Sequence, residues 1–356
     1  MSKVVVIGGG VAGMIAAIRA SLKNEVILLE GNDKCGKKIL LTGNGRCNYW
    51  NENISIDSYH TDNLKKLEEI ISSSNQKEVL TFLEKMGLFP RIKNGYYYPF
   101  SNQASSVRNL LTRELEKRNV EVVYQKVKHI SKQEHYFLID TSKQTFVSDY
   151  VILATGSTAS PKTGSDGSGY LLAKSLGHTI SEVTPALVPM KAKESCLKDW
   201  EGVRTDSKVS LIVEKKKVAE ELGEIQLTNY GISGICVFNL SGLASKNLKL
   251  GKKVEVEINF LPFLNVSFYE WFSERNQRIP NHSVEDLLES IFPYKLLLVL
   301  LKKAGINRND YWSRLSEDKK EKLSSLVSNF PLEITDVESF DRAQVATGGV
   351  PLNEIN

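Results

Sequence analysis

Residues 3–30 read KVVVIGGGVAGMIAAIRASLKNEVILLE. Lys3–Ile7 is a short β-branched run and predicts a strand. Gly8–Gly13 (GGGVAG) follows at once and fits G-x-G-x-x-G. Met14–Leu22 then predicts a helix, and Glu25–Leu29 a second strand that ends on Glu30. Each part has a physical task in a dinucleotide pocket. Gly8 permits the tight strand-to-helix turn, Gly10 lets a pyrophosphate approach bare backbone, and Gly13 lets helix and strand pack closely. The helix N-terminus offers free N–H groups and the positive end of its dipole to phosphates. Glu30 stands seventeen positions after Gly13, where a carboxylate accepts hydrogen bonds from ribose hydroxyls and repels a 2′-phosphate. That leaves FAD and NAD as candidates and argues against NADP in this pocket.

The chain has 356 residues, beyond the size at which one core usually stops growing, so about two domains are expected. A hydrophobic content of 41% and a charged content of 25% predict an ordered core rather than disorder. The formal charge of +4 is spread along the chain. Its densest cluster, Lys215–Lys217, reads as a solvated hairpin tip rather than a nucleic-acid patch. Cysteines at 35, 47, 196 and 236 make no C-x-x-C pair, and the five histidines have no metal spacing. No metal site is expected, and reduced thiols fit a cytoplasmic protein. No apolar stretch approaches a membrane span, so no membrane partner is expected either.

Helices are expected near 62–72 and 76–86, followed by a hairpin turning on Asn94-Gly95. Ala104–Arg118 predicts a helix, Val120–Tyr124 a strand, and 135–140 with 144–147 an antiparallel pair. Tyr150–Ala154 (YVILA) is a buried strand ending in Thr155-Gly156. Beyond the prolines at 185 and 189 come strands at 209–213, 218–222, 224–227 and 254–258, then a helical block from about 268 to 327. This reads as an insertion, with Phe330–Val345 bringing the chain back to the first domain.

Two further segments carry chemistry. Residues 36–48 read GKKILLTGNGRCN. Gly43 and Gly45 open backbone conformations closed to other residues, and successive N–H groups there can form an anion nest. Lys38 and Arg46 add positive charge, while Thr42, Asn44 and Asn48 add hydrogen-bonding groups. Cys47 beside Arg46 is a candidate for a lowered thiol pKa, although a structural or cofactor-lining role outweighs redox chemistry. Ala154-Thr155-Gly156 ends a strand and should face the same crevice as the glycine turn. Asp166 is read as a helix cap, His178 as a helix-end residue, and one or two of Tyr96–Tyr98 as candidates to face the crevice.

The segments above, together with NGYYYPFSNQASSV (94–107), ATGSTASPKTGSDGSGYLLAKSLGH (154–178), TPALVPM (184–190), LTNYGISG (227–234) and ATGGVPLNEI (346–355), occur in the order found in the YhiN/BaiN-like flavoproteins. These NAD(P)/FAD-dependent oxidoreductases are also grouped as an aminoacetone oxidase family. The chain resembles them along essentially its whole length, and G-N-G-R-C-N is the specific motif. The resemblance implies an α/β fold: a Rossmann-like, glutathione-reductase-type FAD-binding domain with an inserted β-barrel-like plus helical domain. The expected division is 1–188 for the first part of the FAD-binding domain, 189–334 for the insert (β-rich 189–262, helical 263–329), and 335–356 for the return.

By the same resemblance, Gly8, Gly10, Gly13 and Glu30 hold the ADP half of FAD. Lys38, Thr42, Gly43, Gly45, Arg46, Cys47 and Asn48 run along the pyrophosphate and flavin, Val127 touches adenine through its backbone, and Thr155-Gly156 closes over the cofactor. Val11, Ala12, Gly31 and Ala154 complete the candidate cofactor-binding set. Asn44, Arg46 and Asn48 are the candidates near the reacting ring, in electrostatic roles.

Two departures from the family pattern matter. Asn229 stands where relatives carry histidine in T-H-x-G-x-S-G, so no histidine acid–base role transfers. Relatives also continue past the G-G-V segment with a flavin-facing helix, so a truncated chain with weakened FAD binding is expected.

The function expected is flavin-mediated electron or hydride transfer to or from a small molecule. With no second G-x-G-x-x-G, NAD(P)H enters only as a candidate transient reductant. The alternatives are an NAD-linked dehydrogenase, a flavoprotein of the tRNA-modifying kind, and an inactive nucleotide-binding fragment.

Overall fold

The apolar run Val4–Ile7 is continuous because its strand is covered on both faces. Val4 and Val6 point into one buried cluster with Met14, Ile18, Leu111 and Leu115, whereas Val5 and Ile7 point into another with Ile27, Leu29, Ile130, Ile139 and Leu172. The computed structural model describes residues 1–73 and 76–355. They form two compact units, Met1–Val183 with Gly348–Asn356, and Thr184–Thr347.

The first unit begins β1 (Lys3–Ile7), α1 (Val11–Ala20), β2 (Glu25–Glu30). It continues β3 (Trp50–Asn51), α2 (Leu64–Ser73), α3 (Gln76–Lys85), β4 (Pro90–Lys93), β5 (Tyr96–Pro99), α4 (Ala104–Lys117), β6 (Glu121–Tyr124). Then follow β7 (Val127–Lys132), β8 (Phe137–Thr141), β9 (Thr145–Ser148), β10 (Tyr150–Leu153) and α5 (Ser168–Ser175). The central sheet has the order β10-β1-β2-β6, all parallel, with Val5 opposite both Val151 and Ile27. The clusters show how it is covered: α1 and α4 supply one face, and β7, β8 and α5 the other. The hairpin between β4 and β5 turns on Asn94 and Gly95, both at positive φ, as a two-residue turn of the favoured twist requires.

The chain leaves this unit along β11 (Ser181–Ala186). The second unit contains β12 (Met190–Ala192), β13 (Arg204–Val213), β14 (Lys216–Leu227), β15 (Gly231–Ser233), α6 (Ile235–Lys249) and β16 (Val254–Asn259). It continues α7 (Phe268–Arg278), α8 (Val284–Leu288), α9 (Tyr294–Ala304), α10 (Glu317–Ser328) and β17 (Phe330–Val337), and the chain returns along β18 (Val345–Gly349). The order β12-β15-β14-β13-β16-β17 closes into a barrel. The ends of the second unit meet, with the Thr184 and Thr347 hydroxyls 2.7 Å apart.

Three readings of this part need correction. Residues 218–222 and 224–227 are one strand, because Gly223 stays paired with Ser207 and the ladder's register shift lies elsewhere, between Leu211 and Ile212. Residues 235–249 form a helix that the strand pattern did not reveal. Its Gly242 lets Ala186 and Thr347 approach to just over 3 Å of where a Cβ would sit. Phe330–Val337 does not return to the first unit. Phe330, Leu332 and Ile334 alternate inward and complete the barrel between β16 and β12. The tip at Glu214-Lys215, both at positive φ, is the hairpin expected there.

Phe330 is fully buried, 5.1 Å from Trp200 and 5.9 Å from Phe260 between ring centroids. Phe330→Ala is expected to cost about 3–5 kcal/mol. A lowered denaturation midpoint at unchanged m-value would show it.

Candidate functional site

Gly8 sits at φ 106°, and a Cβ there would lie 2.5 Å from the Ala154 carbonyl oxygen. A Cβ on Gly13 would lie 1.8 Å from the Gly8 carbonyl oxygen. Both glycines are therefore required by backbone packing of β1, α1 and β10. Gly10 is different: a Cβ there would meet nothing within 4 Å. Its open side belongs to a cleft of about 790 Å³ at the carboxyl ends of β1, β2 and β10, within the range of small-molecule and cofactor sites. Gly10 is the N-cap of α1 and no side chain caps that end. The helix's first N–H groups thus remain for a ligand.

Glu30 ends β2, lines this cleft and is buried. One carboxylate oxygen accepts from the Gly9 N–H at 2.6 Å. The other accepts from the Asn32 N–H at 2.7 Å and the Asn32 Nδ2 at 2.8 Å. A carboxylate has about four acceptor positions, so roughly one is left for a hydroxyl. The protein's own donors fix the orientation of the acid.

Asn32 also donates through Nδ2 to the Thr163 carbonyl at 3.2 Å, tying the turn after β2 to the strap Pro161–Gly167. A Cβ on Gly164 (φ 100°) would lie 2.1 Å from that Nδ2. Across the cleft wall, Lys126 pairs with Asp166 of the strap, and Asp166 accepts from the Ser168 N–H at 3.0 Å. Burial works to raise the Asp166 pKa, but hydrogen bonds from Lys126 and Ser168 outweigh it and hold it at about 2. Gly167, not Asp166, is the N-cap of α5, and no side chain caps it. Asp166, one position earlier, instead holds the Ser168 N–H and pins the strap to Lys126. Lys38 donates to the Ala159 carbonyl at 2.7 Å, and burial lowers its pKa.

The candidates divide clearly. Gly8, Gly10, Val11, Ala12, Glu30, Gly31, Lys38, Thr42, Cys47, Asn48, Val127, Ala154, Thr155 and Gly156 line the cleft. Gly13, Gly43, Asn44, Gly45 and Arg46 do not. Gly13 is spent on packing. Arg46 is turned back on its own loop, with Nε donating to the Gly43 carbonyl at 3.1 Å and the guanidinium over the Tyr98 ring at 5.2 Å.

The loop is held by its own backbone, with the Thr42 carbonyl accepting from the N–H groups of Gly45 at 3.1 Å and Cys47 at 2.9 Å. Asn44, Gly45 and Cys47 all have positive φ. The thiol reading is reversed: Cys47 is buried, and burial raises its pKa instead of lowering it. Cys35 is likewise raised, to about 11, by burial and the Glu30 charge. All four cysteines are free and buried.

Tyr96–Tyr98 do not line the cleft; Tyr49 and Trp50 do. Tyr97 instead donates to Glu52 at 2.8 Å. His178 faces Glu354 at 2.9 Å, just beyond the end of α5. Asn32 and Lys126 escaped the sequence reading. Their only signal was adjacency, one following the acid by two positions and the other preceding Val127.

The family model described as "HI0933-like protein Rossmann domain" matches residues 2–356. The chain belongs to the HI0933-like family. It is 39% identical, over all of its length and 88% of the relative's, to a protein of Clostridium scindens named 3-dehydro-bile acid delta(4,6)-reductase. It is 26% identical, over 99% of its length and 86% of the relative's, to a ribosomal RNA dihydrouridine synthase of Escherichia coli. Among solved structures, 3-ketosteroid-delta4-(5alpha)-dehydrogenase from Rhodococcus jostii RHA1 is similar at 14% identity and a TM-score of 0.44, covering 98% of this chain and 85% of that one. This HI0933-like chain carries the family's Rossmann domain. Among the described residues no helix is long and apolar enough to cross a membrane.

Gly13→Ala forces the Gly8 carbonyl to move, and a loss of about 1–3 kcal/mol is expected, measured by chemical denaturation. Asp166 has a depressed pKa in the folded state. Its pairing therefore stabilises fully above the ordinary value of 3.8 and is lost as pH falls from there toward about 2. The stability gap between wild type and Asp166→Asn should close across that window, and a gap that persists at pH 2 would contradict the assignment.

Proposed function

We propose that this chain holds FAD along the described cleft and uses it to reduce a carbon–carbon double bond conjugated to a carbonyl in a small molecule, hydride going to the carbon remote from the carbonyl and a solvent proton to its neighbour. The observation that carries the reading is the open side of Gly10 at an uncapped helix N-terminus, facing the same cleft as Glu30 and the Ala154–Gly156 turn. Space for a ligand exists where backbone donors are free, and a ribose-type acceptor lies beside it.

In this reading the N–H groups of Val11 and Ala12 bind the pyrophosphate. Glu30 takes a ribose hydroxyl on its remaining acceptor position, and the Val127 backbone meets the adenine. Lys38, Thr42, Cys47 and Asn48 run along the other half of the cofactor. Asn48 is the polar side chain beside the reacting ring, whereas Asn44 and Arg46 stand outside the cleft. Tyr49 and Trp50 shield that end of the cleft from water. FAD, when bound, supplies a ring that takes up and delivers hydride; the protein supplies binding, orientation and exclusion of water.

The choice of an activated alkene is supported by the names of the relatives. A 3-dehydro-bile acid delta(4,6)-reductase and a dihydrouridine synthase both denote reduction of an alkene in conjugation with a carbonyl. The 39% relative favours the small 3-oxo steroid class over a uracil in RNA. NAD(P)H is the proposed transient reductant.

The test is direct. Cofactor extracted from purified protein is expected to be FAD, and Gly10→Val should weaken its binding at least about tenfold, followed by flavin fluorescence. Anaerobic NADH and NADPH are each mixed with the loaded enzyme, then a 3-oxo-Δ4,6 steroid is added and the saturated product sought by mass spectrometry. Extraction of NAD in place of FAD would turn the reading to an NAD-linked dehydrogenase. Turnover of an RNA uracil without steroid turnover would replace the substrate class.

A further inference from the structure

Behind the turn that follows Glu30 lies a second hollow, of about 810 Å³, on the first unit. Lys34, Arg108 and Arg113 line it, and no carboxylate does. Arg108 lays its stem over Gly36, where a Cβ would lie 2.7 Å from the Arg108 Cγ, and its guanidinium bonds Asn109 Oδ1 at 2.9 and 3.2 Å. Arg113 has no ion-pair partner among the described residues. The lining is also aromatic. Phe89 and Phe100, 70% and 63% exposed, stand edge to face with centroids 5.5 Å apart at the open end of the β4–β5 hairpin. Backbone fixes the pair, with the Phe100 N–H donating to the Phe89 carbonyl at 2.8 Å. Tyr124, at the end of β6, is 48% exposed and adds a third ring.

Apolar rings this exposed, on a hairpin end, gain little burial from the fold. Three cations stand among the lining residues with no acid among them, Asp33 and Glu30 acting on Lys34 and Tyr124 only from beside the hollow. The two features together call for a flat ring bearing an anion. Arginine suits phosphate because its planar fork bonds two oxygens at once, and an aromatic shelf stacks any nucleobase. The volume suits a ligand of nucleotide size.

We propose that this hollow is a second nucleotide site, distinct from the cofactor cleft. It binds phosphate on Arg108, Arg113 and Lys34, and base on Phe100 and Phe89. The two sites share a wall, since Lys34 and Leu88 line both, but Glu30 and the glycine turn do not reach the hollow. The ligand is either a free nucleotide or one unit of an RNA strand, which present the same chemistry. The inference stands whatever the substrate of the cofactor cleft.

The experiment uses the full chain saturated with FAD. A fluorescent guanosine monophosphate and a ten-nucleotide single-stranded RNA are titrated separately at two salt concentrations. Saturable, salt-sensitive binding of either probe is expected, weakened about tenfold or more by Arg113→Gln. Phe100→Ser should weaken it too, and Phe100→Trp should retain it. Both positions line the hollow only, so flavin content and thermal midpoint check that the variants are folded. Binding of the mononucleotide assigns a free-nucleotide site; binding of the RNA alone assigns a strand-docking site. Absence of saturable binding, equal binding by the folded variants, or displacement of the probe by added FAD would overturn the proposal.

Discussion

Everything at the cleft beside Glu30 depends on how closely α1 can follow β1. The Gly13 Cα sits where any side chain would collide with the Gly8 carbonyl, and Gly8 itself presses on the backbone of Ala154. These two contacts set the depth at which the helix N-terminus stands behind the ends of three parallel strands. With a larger residue at either position the helix must retreat, and its free N–H groups no longer meet the acid of β2 and the turn after β10 in one cleft. The buried faces of Val4–Ile7 make the sheet rigid enough to impose that distance.

Polar detail then fixes the rim. Glu30 spends most of its acceptor capacity on Gly9 and Asn32, which costs it freedom and gives it one orientation. Asn32 passes the constraint to the strap through Thr163, and Lys126 with Asp166 anchors the strap from the other side. A chain of small, satisfied contacts therefore replaces a hydrophobic lid. This arrangement is orderly without being sealed, which suits a ligand held along its length by backbone groups.

Much of this was legible in residues 3–30, because glycine spacing and a terminal acid state backbone requirements directly. The parallel sheet, the Asn94-Gly95 hairpin and the Lys215 tip were legible for the same reason: each rests on local conformational limits. The G-N-G-R-C-N loop was legible as an irregular, glycine-shaped segment, but not in its aim. Whether Arg46 faces the cleft or Tyr98 depends on a contact with a hairpin some fifty positions later, which spacing cannot express. Cys47 misled for a related reason, since its burial is a tertiary fact and desolvation overrides a neighbouring charge in sequence. In the second unit, Gly223 reads as a break between two strands, and the helix that holds Gly242 has no counterpart in the strand pattern. Gly223 stays paired in a strand and Gly242 serves close packing of its helix. The return to the first unit was placed too early, at 335 rather than 348, because a closing barrel strand looks like any other alternating strand.

The second unit interrupts the first, yet its own ends lie a hydroxyl-to-hydroxyl contact apart although Thr184 and Thr347 are 163 positions distant in the chain. Loop-closure entropy grows only with the logarithm of length, and here even that cost falls to the insert rather than to its host. Once the insert has folded, the host sees a splice about as short as a hairpin, and Ser181 can find Gly349 as if the two were near neighbours. Folding from the inside out is thereby favoured, the insert closing on itself before Ser181 and Gly349 join.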